Sequence, residues 1–181
     1  MTLAHNHSVR TPVRALQQRP WTTEELKAKG FTYFLPRKRL VMARLISEHT
    51  NVHVTLEVLS AAAGDIICYT PGDTVRPALD EYEHWPVKRD LFRKTYKPWD
   101  ELPWHPNPAE QHLLLHGCRP YYKHFGVWAL RLPISIYVQS LESAEPVLVP
   151  RGRWLCIGSE GEPYNMNDEQ IHTRYLLPPG V

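Results

Sequence analysis

The stretch Gly64-Asp65-Ile66-Ile67-Cys68-Tyr69, continued by Glu83-His84-Trp85-Pro86-Val87 and then Phe92 and Tyr96, has a counterpart later in the chain. The counterpart runs Gly152-Arg153-Trp154-Leu155-Cys156-Ile157, then Glu162-Pro163-Tyr164-Asn165-Met166, then Ile171 and Tyr175. Both place a Cys four residues after a Gly, and both end in Glu-x-aromatic-x-apolar-x4-apolar-x3-Tyr without a gap. A short apolar run, a turn, a second short run and apolar residues at i and i+4 spell strand, turn, strand, helix. Val41-Met42-Ala43 and Val127-Trp128-Ala129 carry the match further back. Two copies of one small unit pack as a pair. The expected fold is α+β: two similar small antiparallel β units, each a bent sheet or small barrel with a short C-terminal helix, packed as a pseudo-dimer with a helix between them.

The boundaries follow from the punctuation of the chain. Residues 1–29 read as an N-terminal arm and a short helix, which Thr22 caps with Glu25 three residues on and Gly30 ends. Residues 30–98 form the first unit, in which Val52, Val54, Leu56 and Val58 alternate as one half-buried strand. Residues 99–120 are a connector whose helix opens on Asn107-Pro108 and closes at Gly117. Residues 121–181 form the second unit, whose last helix starts at Asn167 with Gln170 three residues on. The copies differ in their hairpins. Thr70 to Tyr82 is a long loop in the first, whereas Ser159-Glu160-Gly161 closes the second tightly.

Composition bounds the function. The chain has 181 residues, 43% hydrophobic, and 21 basic against 19 acidic side chains, for a net charge of +2. That is enough apolar content for a core and too even a balance to indicate a nucleic-acid or membrane partner. No apolar stretch approaches the ~20 residues of a membrane helix. Three cysteines make no disulfide framework and fit a reduced compartment. Met1 to Arg19 lacks the apolar core of a signal peptide. The expected location is the cytoplasm.

The first copy, and the second more weakly, resembles the PGDYG proteins, a small bacterial and phage family. The residues that carry the resemblance are Ala63-Gly64-Asp65-Ile66, Glu83-His84-Trp85-Pro86-Val87, Phe92 and Tyr96, then Gly152-Arg153-Trp154, Gly161-Glu162, Tyr164 and Tyr175. It covers about a third of the chain. The family has no assigned activity, so the resemblance implies a fold and leaves function open. The first copy departs from it by its long hairpin loop, the second by Arg153 in place of Asp.

Candidate chemistry is sparse. No phosphate-cradling Gly-rich loop and no nucleophile elbow is present. The expected role is therefore binding or accessory rather than catalytic, with no cofactor. A small molecule or a protein partner would sit between the units, on Trp85, Trp128, Trp154 and Tyr164, with Arg76, Asp80 and Glu81 of the long loop at the edge of the cleft. The alternative is a metal- or His-dependent enzyme on His112, His116 and Cys118, because His residues four apart share a helix face. The competing reading of that helix is an amphipathic packing element around Leu113 to Leu115. A second alternative is a nucleic-acid-binding β domain, with a basic surface made by Arg37, Lys38, Arg39 and Arg44 and by Lys88, Arg89, Arg93 and Lys94. Asp65, Glu83 and Glu162 are the carboxylates that the repeat itself supplies, either as turn caps or as acid/base groups.

Overall fold

The computed structural model describes residues 14–54 and 56–181. The strands are β1 (Leu16–Gln17), β2 (Thr32–Phe34), β3 (Val41–Leu45), β4 (Thr50–His53), β5 (Val58–Ala61), β6 (Ile66–Thr70), β7 (Glu83–Val87), β8 (Tyr96–Pro98), β9 (Arg119–Lys123), β10 (Val127–Arg131), β11 (Ile136–Gln139), β12 (Val147–Val149), β13 (Trp154–Ile157) and β14 (Pro163–Met166). The helices are α1 (Thr23–Ala28), α2 (Arg89–Thr95), α3 (Pro108–Leu115) and α4 (Asp168–Arg174). The protein is α+β and mostly β.

Two main sheets organise the chain, with strand orders β7-β6-β3-β9-β8 and β14-β13-β10-β2. Both are open antiparallel sheets, so the barrel half of the expectation is replaced: β7 and β8, like β14 and β2, remain edges. Register in the two sheets recurs residue for residue. Ala43 faces Cys68, which faces Trp85; Ala129 faces Cys156, which faces Tyr164. The bonds that close the first strand pair also recur. The amides of Ile46 and Gly64 donate to Asp65 and Ile46 carbonyls, and those of Leu132 and Gly152 to Arg153 and Leu132 carbonyls. Gly64 and Gly152 both hold positive φ, 91° and 88°, the region a side chain would strain.

The outer strands are placed crosswise. The strand that pairs with β3 is β9, which follows α3; the strand that pairs with β10 is β2, which follows α1. The helix–strand element preceding each half of the chain therefore completes the sheet of the other half. Both helices end alike, with the Phe31 amide bonded to the Leu26 carbonyl and the Cys118 amide to the Leu113 carbonyl. Each sheet is covered on both faces, because alternate residues of its central strand point opposite ways. Ile67 packs with Leu113 of α3, and Cys68 with Phe92 of α2. Leu155 packs with Leu26 of α1, and Cys156 with Ile171 of α4. Complete burial of a side chain such as Leu113 or Ile171 stabilises by about 1.5–3 kcal/mol and fixes each helix to its face.

The capped helix starts form as the sequence dictates. Thr22 and Asn167 make capping boxes with Glu25 and Gln170, and the Asn107 side chain accepts from the Glu110 amide. Two local readings change. Val52 to Val58 is not one strand but the β4–β5 hairpin, closed by the Val54 amide on the Glu57 carbonyl. Its alternation continues through the turn, so periodicity alone hides the reversal. Of the N-terminal arm, residues 1–13 lie outside the described residues, and Leu16–Gln17 is anchored as a parallel partner of β11. Among the described residues no helix is long and apolar enough to cross a membrane.

Candidate functional site

A cavity of about 410 Å³ opens between the two main sheets. Its walls come in matched pairs: Glu83, Trp85 and Tyr96 from the first half, Glu162, Tyr164 and Tyr175 from the second. Glu83 and Trp85 lie on β7, Tyr164 lies on β14 and Glu162 immediately precedes β14; both strands are sheet edges. The tyrosines follow α2 and α4 and are buried.

Cations depart from this pairing, among them Arg39 from the β2–β3 connection, Lys123 at the end of β9, and Arg174 at the end of α4; Arg37, Lys88 and Arg153 also line the cavity. Lys123 Nζ donates to the Tyr175 hydroxyl at 2.8 Å, and that hydroxyl lies 3.3 Å from the hydroxyl of Tyr164. Burial opposes the Lys123 charge, but the Tyr175 oxygen and the Glu162 carboxylate more than offset it and hold its pKa above the usual lysine value. The Arg174 guanidinium stands 4.7 Å above the Trp85 ring and pairs with Glu83. Burial, followed by the neighbouring Arg39 charge, lowers Arg174 to about 10. Burial also lowers Arg39, whose one side-chain hydrogen bond is a long 3.4 Å contact to Thr70 Oγ1. Among the described residues, no carboxylate lies within ion-pair distance of Arg39 or Lys123.

Two of the cavity's acids are held by neighbouring groups. Glu162 accepts the Glu160 amide at 2.7 Å and sits over Gly158, where a Cβ would come within 1.8 Å of its carboxylate. Burial raises the Glu162 carboxyl, partly offset by backbone N–H bonds and Lys123. Glu57, on the β4–β5 turn, accepts from Ser143 Oγ at 2.7 Å, and burial raises it too. This bond ties the β4–β5 hairpin to the segment after β11, beside the Leu59–Ser143 bridge.

Of the residues singled out from sequence, Trp85, Tyr164, Asp80 and Glu81 line this cavity. Trp154 is buried in the core, with its indole N–H on Asp168 at 3.0 Å. Trp128 lies in a second cavity with Trp21 and Tyr33. Arg76 is outside the lining; its amide donates to the Tyr82 hydroxyl, which is also hydrogen-bonded to His112 Nδ1 at 2.8 Å. The long loop thus ends in a core residue, since Tyr82 is buried. His116 Nδ1 donates to the His112 carbonyl, and Cys118 is fully buried, its thiol pushed up to about 11 by burial. Among the described residues, no three His, Cys, Asp or Glu side chains are placed to hold a metal ion. All three cysteines are unpaired and buried.

Of the residues of the basic surface, Arg37, Arg39 and Lys88 line the cavity, and several make local pairs. Lys38 pairs with Asp100, Lys88 with Asp65 and Lys94 with Glu160, while Arg44 donates to the Tyr69 hydroxyl. Asp65 also accepts the Ala62 amide at 2.8 Å, as a turn cap does. Sequence reasoning missed Lys123, which reads as an ordinary strand end in Arg119-Pro-Tyr-Tyr-Lys. The signal available for Tyr96 and Tyr175 was their shared column in the repeat. The chain matches no family model, no curated protein and no solved structure.

Proposed function

We propose that this protein is a non-catalytic binding module that holds a small anionic molecule in the cavity between its two sheets. One observation carries the reading: Arg39 and Lys123 line the cavity without a carboxylate partner among the described residues. Burial disfavours the Arg39 charge, which has no carboxylate beside it, and an anion entering the cavity offsets that cost while adding a partner for Lys123. The cavity also falls within the size range of small-molecule sites.

We read the two sheets as copies of one PGDYG-like unit that have exchanged their leading helix–strand elements. The recurring register, the paired glycines and the matched turn bonds support this. On that reading the duplicated frame supplies paired walls, and the departures from pairing, Arg39 and Lys123, supply the charge. Titration calorimetry with carboxylates and phosphate esters at matched ionic strength tests the function. Binding by the native protein that is lost in Lys123→Met, with its far-UV spectrum unchanged, supports it. Absence of binding by every anion, or binding indifferent to Lys123→Met and to Arg39→Met, overturns it.

A further inference from the structure

The charge balance of the cavity narrows the ligand, on the reading just given. Six lysine and arginine side chains line the cavity. Arg174 and Lys88 are committed to Glu83 and Asp65, Arg37 is held by the His172 and Tyr175 carbonyls and Arg153 by Asn165 Oδ1, which leaves Arg39 and Lys123. Further acids line the same space: Glu57, Asp80, Glu81, Glu142 and Glu162. A ligand carrying several phosphates would satisfy its first charge at Arg39 and Lys123 and press the others against these carboxylates. Repulsion at such distances is poorly screened where water is excluded. The cavity has room for one anionic group.

The remaining walls are apolar or aromatic. Val41, Val87 and Leu91 border the cavity from the first sheet's side, and Phe125, Pro163 and Tyr164 from the other. The faces of Trp85 and Tyr164 are already turned toward cations, with Arg174 at 4.7 Å and Lys123 at 6.0 Å from the ring centres. Aromatic faces that carry cations make flat walls on which a ring with an attached anion gains both stacking and charge. A guanidinium fork and an ammonium lining one cavity also suit the two oxygens of a carboxylate. We infer that the ligand is a monocarboxylate with an apolar ring as its body, its carboxylate between Arg39 and Lys123 and its ring between the edge strands of the two sheets.

Matched probes separate this inference from the broader one. Calorimetry on the full chain would compare 3-phenylpropanoate and indole-3-acetate with acetate, with phenyl phosphate and with ADP. The ring carboxylates should bind at least about tenfold more tightly than acetate, phenyl phosphate or ADP. Trp85→Leu should weaken them about tenfold and leave acetate unchanged, whereas Lys123→Met and Arg39→Met should weaken both. Circular dichroism of each variant excludes loss of fold as the cause, and Lys94→Met, an exposed control, should bind as the native protein does. If phenyl phosphate or ADP binds more tightly than the ring carboxylates, or if acetate equals them, the monocarboxylate inference is overturned and the anion-binding reading survives. If no probe binds, both fall.

Discussion

The Lys123 ammonium hydrogen-bonds the Tyr175 hydroxyl at 2.8 Å, joining the last residue of β9 in one sheet to the core of the other. Tyr175 and Glu162 offset the burial of this charge with little to spare, so Lys123→Met, which gives up the bond together with the desolvation cost, should change the stability of the protein by less than about 0.5 kcal/mol. Tyr175→Phe should lower it by about 1 kcal/mol by taking away the acceptor. Urea denaturation of the two variants checks the contrast. A large destabilisation by Lys123→Met would make the lysine a structural group.

The Arg174–Glu83 pair should matter more than the exposed ion pairs. The Arg174 side chain is 18% exposed, against 49% and 50% for Lys94 and Glu160. Glu83→Gln leaves a mostly buried guanidinium without its carboxylate and should cost about 1–2 kcal/mol. Glu160→Gln should cost less than about 0.5 kcal/mol. Equal effects in parallel urea titrations would refute the ranking.

Glu162 gives the protein a pH dependence of definite sign. Burial raises its carboxyl above the ordinary glutamate value, so folding favours its protonated form. Its contribution is fully present below the unfolded-state pKa and is lost as pH rises through the folded-state pKa. Glu162→Gln keeps an acceptor for the Glu160 amide and removes the titration. The variant should gain stability relative to the native protein as pH rises from about 4 to 7. Denaturation midpoints across that range measure the gain; a constant difference would show that Glu162 does not titrate there.

The crosswise strands predict that neither half of the chain folds alone. A cut in the exposed connector at Leu102, 81% accessible, leaves residues 1–101 without β9 and residues 102–181 without β2. Each fragment should lack dispersed amide resonances, and mixing the two should restore them. A cooperative unfolding transition in either fragment alone would contradict the exchange.

Much of the fold was legible in local chemistry. The caps at Thr22, Asn107 and Asn167 and the paired Gly64 and Gly152 strands depend on neighbours in sequence, and they form where those neighbours require. The partner of an edge strand does not. Both β2 and β9 are short, with one apolar face, and periodicity is silent about which sheet each joins. The site was half legible for the same reason. Trp85 and Tyr164 sit in the matched segments and could be named, but Trp154, on the same sheet face as Tyr164 and one strand further in, is buried in the core, and Lys123 becomes a cavity residue only because β9 crosses over. The long loop reads as the edge of a cleft, where Asp80 and Glu81 lie, but not as part of the core, although Tyr82 at its end packs against Ala109 and Leu113.

The crossing also sets a timetable during synthesis. Tyr33 of β2 receives the Gly126 amide from a residue 93 positions further on. At roughly 5–20 residues per second a ribosome needs about 5–20 s to supply it. Through that interval the nascent chain carries β2 with no sheet to join and β3 with one bare edge, each able to capture a strand of a neighbouring chain. The window closes only when the C-terminal half has emerged, so chaperone demand should track the elongation rate across residues 99–131 rather than the stability of the finished protein.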